Sequence, residues 1–248
     1  MFFKQFFWLT VLALSTIGRL AVCESNILVL VDNLVVRETH SKFLKSLADR
    51  GHKLTIKTAD DPTLQLVKYD QHLYEHLILF SPTVEEFGGS LSTSVITDYI
   101  DNGGNLLIAG GPEVGFAIRD LANECGLEFD KDGNQVIDHF NFDASLDDGT
   151  HTAVVAGNRH LIDAPKITGN KQTLSPLLYR GTNLIVNKNN PLLFSVLTGS
   201  PTSFSYAPAK PIVEVSACFH IAVSFAQQLT EFTEFLSRLR TQSVRAPS

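Results

Sequence analysis

The chain has 248 residues, 44% apolar and 19% charged, a composition that suits a globular core of one large or two small domains and excludes a disordered tail. Lys and Arg number 20 against 26 Asp and Glu, a net charge of -6, which argues against nucleic acid as a partner because phosphate binding needs a basic footprint. Three cysteines are too few for a disulfide scaffold, and no pair has the spacing of a zinc knuckle.

The first residues read as a secretory signal peptide. Met1 to Lys4 form a short basic start, Phe6 to Ile17 an apolar stretch, and Ala21 and Cys23 sit at positions -3 and -1 before a cut at Glu24. A membrane anchor would need about 20 apolar residues, and Gly18-Arg19 interrupts this run. Removal of residues 1–23 leaves Cys125 and Cys218. An oxidising lumen would allow one bridge between them. Cys125, however, falls on an apolar helix face, where a thiol behaves as a small hydrophobe, and the unpaired reading is favoured. No N-x-[ST] acceptor occurs in the chain. The most apolar later stretch, Val215 to Leu229, carries Ser216, His220, Ser224, Gln227 and Gln228 and is not expected to cross a bilayer.

From Asn26 the elements follow in regular order. Ile27 to Val31 is a continuous apolar run, as in a strand buried on both faces of a parallel sheet. The spacing of Phe43, Leu44 and Leu47 predicts a helix over 38–50, stopped by Gly51. Lys53 to Lys57 alternates as a second strand, and Leu77 to Phe80 is a third, ended by Ser81-Pro82. Ser92 can cap a helix over 92–102 with Val95, Ile96, Tyr99 and Ile100 on one face, ended by Gly103-Gly104. Asn105 to Ala109 gives a fourth strand. Pro112 would then open a helix over 113–125 with Val114, Ala117, Ile118, Leu121 and Cys125 as its buried stripe. Strands alternating with helices in this way predict βαβ units, an α/β fold with a doubly wound, mostly parallel sheet.

Beyond residue 130 the pattern loosens. Strand-like pieces at 135–138, 152–155, 183–186 and 192–197 are separated by Gly, Pro and Asn, so residues 131–214 are expected to form a β-rich extension or edge layer of the 26–130 core. From Val215, Cys218, Ala222, Phe225, Leu229, Phe232, Leu236 and Leu239 recur at spacings of three and four. This stripe predicts a helical tail over 215–248, either a partner-binding helix or a poorly anchored one.

No constellation of catalytic residues stands out. The acidic pairs Asp60-Asp61, Glu85-Glu86 and Asp147-Asp148 lie in predicted loops, where adjacent carboxylates usually face solvent. His72, Glu75 and His76 spell H-x-x-E-H, the inverted zincin order, but a strand begins at Leu77 and the motif counts only on a helix. Gly103-Gly104 and Gly110-Gly111 match neither the dinucleotide fingerprint nor the P-loop. The strand–turn–helix of residues 106–115 stands where an α/β fold would mount a nucleophile, yet its turn is Ala109, Gly110, Gly111 and Pro112, without serine or cysteine. No catalytic, cofactor-binding or metal residue is therefore assigned.

Residues 31–62 (VDNLVVRETHSKFLKSLADRGHKLTIKTADDP) and 72–89 (HLYEHLILFSPTVEEFGG) resemble the family of 48 kDa non-catalytic subunits of the oligosaccharyltransferase complex, the dolichyl-diphosphooligosaccharide–protein glycosyltransferase. The resemblance continues through NECGLEFD (123–130), VIDHFNFD (136–143) and NPLLFSVLTGSPTSFSYAPAKPI (190–212), and is read from Ile27 to about Glu214. It implies a domain in the endoplasmic reticulum lumen of an assembly that moves a lipid-linked oligosaccharide onto asparagine, with a glutamine-amidotransferase-like fold lacking the catalytic cysteine. It also implies partners, namely the other subunits including a multispanning catalytic one, with no cofactor of its own. After Glu214 the sequence departs from the pattern, which in the family continues to a C-terminal membrane helix. Membrane association is then expected only through partners, and the tail is expected to be trimmed by protease near residue 214. The alternative reading is an independent lumenal hydrolase or a sugar- or peptide-binding module of α/β fold.

Overall fold

The computed structural model describes residues 25–187, 189–208, 216–217 and 220–224. In chain order the elements are β1 (Asn26–Val31), α1 (Val36–Thr39), α2 (Ser41–Ala48), β2 (Lys53–Thr58), β3 (Val67–Lys68), β4 (Gln71–His72), β5 (His76–Phe80), α3 (Thr93–Asp101), β6 (Asn105–Ile108) and α4 (Phe116–Glu124). There follow β7 (Leu127–Phe129), β8 (Gln135–Ile137), β9 (Val154–Ala156), α5 (Pro165–Thr168), β10 (Leu177–Tyr179), β11 (Leu184–Val186), β12 (Leu193–Thr198), β13 (Phe204–Tyr206), β14 (Ser216–Ala217) and β15 (His220–Ser224).

The first half is the expected parallel sheet, in the order β2-β1-β5-β6. Every pair is parallel, with Val29 opposite both Ile56 and Ile78, and Ile78 opposite Leu107. β1 is central, and its apolar run Ile27 to Val31 is at most 1% exposed, as a strand covered on both faces must be. The period-2 alternation of a strand splits that run between two cores. Leu28 and Leu30 join Leu77, Leu79, Ile96, Tyr99, Ile118 and Leu121 on the face covered by α3 and α4. Ile27, Val29 and Val31 join Ile78, Leu44 and Leu47 on the face covered by α2. Helices thus lie on both sides, and the chain reverses its direction of winding between β1 and β5.

Several local expectations hold. The Ser92 side chain accepts a hydrogen bond from the Val95 amide and caps α3. Gly51 and Gly103, at φ 90 and 94, end their helices in the left-handed region that favours glycine. Two boundaries differ. The helix expected over 38–50 is broken at His40, whose φ of -104 and ψ of 18 part α1 from α2. The helix expected from 113 starts at Phe116, because residues 112–115 are drawn into loop contacts: the Gly115 amide donates to the Pro82 carbonyl (2.8 Å), and the Pro112 carbonyl accepts from the Gly133 amide (2.8 Å). The hairpin β3–β4 was not foreseen. Its two-residue turn Tyr69-Asp70 has φ of 52 and 58, the signature of a type I′ turn.

The second half is β-rich as expected, but it does not extend the parallel sheet. It forms small antiparallel sheets in the orders β12-β15-β11-β7, β14-β13-β8 and β10-β9. Phe129 of β7 carries it into the main core, and Arg119 of α4 donates to the carbonyls of Val114, Phe129 and Asp130 and to the Asp132 carboxylate. The helical tail expected over 215–248 is corrected where it is described. Residues 220–224 are a strand paired with β12, Phe194 opposite Val223. The sequence HIAVS alternates two β-branched residues with small or polar ones, which suits a strand between two others as well as it fits a helical stripe. The rest of the tail, including Cys218, lies outside the described residues.

Candidate functional site

In a doubly wound sheet, ligands bind outside the carboxyl ends of the strands where the winding reverses. Here that place lies after β1 and β5, at Asp32 and Ser81. The loop that follows β5 crosses it as a strap. The Thr83 hydroxyl donates to the Asp32 carboxylate beyond β1 (3.0 Å). The Gly88 amide donates to the Ala59 carbonyl beyond β2 (2.8 Å), and the Pro82 carbonyl accepts from Gly115 beyond β6. One loop therefore ties the end of β5 to the segments that follow β1, β2 and β6.

The strap explains several residues that looked arbitrary in sequence. A side chain at Gly88 would collide with the backbone of Asp60 and Asp61, and Gly89 has φ +64. The Gly88-Gly89 pair is what lets the loop pass so close to the end of β2. Asp61 accepts from the Thr63 amide (2.7 Å) and hydroxyl and pairs with Lys57 (3.3 Å), so it shapes the turn that receives the strap. These bonds from Thr63, ahead of Lys57, hold its carboxyl below the usual range. His40 lies against Phe80, ring centroids 4.9 Å apart. The segments DNL, RETH, TADDP and FSP…EFGG, separate in sequence, meet at this edge of the sheet.

The polar groups of the edge are engaged in tying loops. The Glu85 carboxylate accepts from the Phe116 amide at the start of α4 (3.0 Å), the position where such folds hold an anionic ligand group. The turn Ala109 to Pro112 carries no nucleophile, and a side chain at Gly110 would strike the Phe129 ring. Ser81 is fully buried, and its hydroxyl has no hydrogen-bond partner among the described residues, so no described imidazole or carboxylate activates it.

The other candidates are dispersed. Asp147 sits in a nest of amides: desolvation works to raise its pKa, and the amides of Ala153, His151, Gly149 and Thr152 outweigh it, lowering it to about 2. Its neighbour Asp148 pairs with Arg180 (2.9 Å). The H-x-x-E-H residues are not on a helix. His72 is in β4 and packs on Tyr99, Glu75 accepts from the Asn26 amide (2.5 Å), and His76 opens β5. Burial, helped by the charge of His52 and opposed by Glu75, lowers the His76 pKa to about 4 and keeps it neutral. Cys125 is half-buried at the end of α4, with its thiol pKa raised by burial and then by Glu124 and Asp101. Among the described residues no group of three or more His, Cys, Asp or Glu could hold a metal ion.

A serine–histidine contact was missed in the sequence. Ser25 Oγ lies 2.6 Å from His52 Nδ1, and the His52 and His76 rings meet edge to face at 6.2 Å. These residues stand at the amino ends of the strands, where helix C-termini point their negative dipole ends and would oppose a developing oxyanion. The contact fastens the start of β1 to the start of β2. No local signal could have revealed it, because the two residues are 27 apart in the chain.

The architecture defines a doubly wound α/β domain whose ligand edge is strapped by its own loop and which carries a β-rich second half. The chain belongs to the family described as OST48, N-terminal domain, whose profile matches residues 19–235, past Glu214, where the resemblance read from the residues ended. It is 51% identical over 191 residues to the dolichyl-diphosphooligosaccharide–protein glycosyltransferase 48 kDa subunit of Danio rerio, covering 77% of this chain and 43% of that protein. It is 48% identical over 203 residues to the subunit of the same name from Drosophila melanogaster (81% of this chain, 45% of that protein) and 44% identical over 202 residues to that from Caenorhabditis elegans (81% and 45%). The chain thus spans less than half the length of these relatives.

Proposed function

We propose that this protein is a non-catalytic subunit of the oligosaccharyltransferase complex, placed in the endoplasmic reticulum lumen, and that its α/β domain serves the assembly as a scaffold. The observation that carries the reading is the identity of 44 to 51% to relatives named as the 48 kDa subunit. The strapped edge supports the non-catalytic part: the crevice where α/β enzymes place substrate is crossed by residues 81–91, and Glu85 occupies the amide at the start of α4. The signal-peptide pattern of residues 1–23 supports the lumenal part. Association with the membrane through partner subunits is part of the proposal; among the described residues no helix is long and apolar enough to cross a membrane.

The test is depletion with rescue. Loss of the protein should lower occupancy of N-x-[ST] sites on secreted glycoproteins, and a rescuing copy altered in the strap's polar groups, Thr83→Val with Glu85→Gln, should restore it. Restored occupancy supports a structural role. Unchanged occupancy on depletion, or rescue that fails although the altered protein accumulates normally, contradicts it. Protein recovered from microsomes should begin at Glu24, and a retained Met1 would overturn the lumenal placement.

A further inference from the structure

Outside the strapped edge, one pair of chemistry-bearing side chains stands apart from the architecture. His139 Nδ1 and His151 Nδ1 lie 2.5 Å apart, with the two rings nearly perpendicular at 83°. The residues are separated by 12 positions and come together because the Asp138 and Asp147 carboxylates fold the intervening loop. Each ring is also held from behind. His151 stacks on Phe142 with centroids 4.0 Å apart and planes at 26°, and His139 packs on Phe204 at 5.4 Å. His139 is exposed, so the pair is open to solvent.

We propose that His139 and His151 form an open two-imidazole site for a borderline divalent metal ion of the Zn²⁺ class. Imidazole nitrogen is the commonest protein ligand for such ions, with Zn–N distances of about 2.0–2.1 Å. Tetrahedral coordination by two nitrogens at that distance places them about 3.3 Å apart. The nitrogens therefore need to separate by less than about 1 Å, within reach of small side-chain rotations. In the metal-free pair one Nδ1 must carry a proton and the other a lone pair. On binding, the proton of the first ring moves to its own Nε2 through solvent, both Nδ1 lone pairs face the ion, and no net proton is released from a neutral pair.

The surrounding carboxylates do not complete the shell. Asp147 accepts from three amides, Asp138 from Ser200, Thr202 and Asn141, Asp143 from Ser145, and Asp148 from Arg180. The remaining positions fall to water, which makes the site exchangeable and not a structural four-ligand centre.

Titration of the full chain with ZnCl₂ alone, followed by equilibrium dialysis and by imidazole ¹⁵N resonances, tests the proposal. The expected result is one saturable ion per chain, with the Nδ1 resonances of His139 and His151 moving first. Binding should weaken at least ~10-fold in His139→Gln and in His151→Asn, while His160→Gln binds as the parent does. Asparagine is chosen at 151 because that residue has φ 57, which asparagine tolerates. The resonances of the parent chain decide the matter even if a variant folds poorly. Absence of saturable binding below about 100 μM, a response of other histidines first, or unchanged affinity in both folded variants would overturn it, as Kd values above that correspond to less than ~5.5 kcal/mol.

Discussion

Asp138 is wholly buried and carries a dense set of hydrogen bonds. Its carboxylate accepts from the Ser200 and Thr202 hydroxyls, the Phe140 and Asn141 amides and the Asn141 side chain. Desolvation works to raise its pKa, and the bonds from Ser200, Phe140, Asn141 and Thr202 outweigh it, so the carboxyl stays below its ordinary value. A depressed folded pKa means stability that is present above the unfolded value of about 3.9 and lost as pH falls through the folded value. Asp138→Asn keeps the shape but turns a donor toward donors, and should lower unfolding free energy by about 2–3 kcal/mol at neutral pH. Urea melts of both proteins between pH 7 and 3 check this: the gap should narrow below about pH 4, and a gap independent of pH would refute the assignment. The strap makes a second residue-scale prediction. Gly88→Ala drives a methyl into the Asp60 backbone and should cost about 1–3 kcal/mol. Gly111→Ala, whose new atom would find its nearest neighbour at 3.8 Å, should leave the melting temperature within a degree or two of the parent.

At the scale of elements, β15 joins two strands that would otherwise not pair. It lies between β12 and β11, with Ser195 opposite Ala222 and Leu184 opposite His220. A chain ending at Glu214 leaves both neighbours with open edges, whereas one ending after Ser224 keeps the sheet. The shorter chain should melt well below the longer, and limited proteolysis should trim no closer than about residue 224. Equal melting temperatures would show that β15 contributes nothing. What could be read from sequence follows the same physics. The run Ile27 to Val31 and the Ser92 cap were legible because their signals are local, as was the stop at Gly51. The break at His40 and the late start of α4 were not, because they answer to contacts made by distant loops such as Gly115 with Pro82. The strand 220–224 was misread as helix because Cys218 and Ala222 fit a spacing of four while Ile221 and Val223 fit a strand, and only pairing with β12 decides between them.

On the scale of the whole molecule, the sequence disclosed the family and the empty turn at Gly110-Gly111, but not the strap. Thr83 and Asp32 are 51 residues apart, and no periodicity links them. The His139–His151 pair was hidden for a related reason, since a loop tied by the Asp138 and Asp147 carboxylates brings those rings together. The α/β domain crosses its own ligand edge with the loop of residues 81–91. Whether this chain works as a subunit of oligosaccharyltransferase is decided by the proteins that co-purify with it. The full chain, tagged and expressed at native level, is recovered from detergent-solubilised microsomes, and the co-purifying proteins are quantified. The multispanning catalytic subunit should be recovered in near-equal amount together with oligosaccharide transfer activity. Recovery of the folded chain alone, with that activity left entirely in the unbound fraction, would contradict that role.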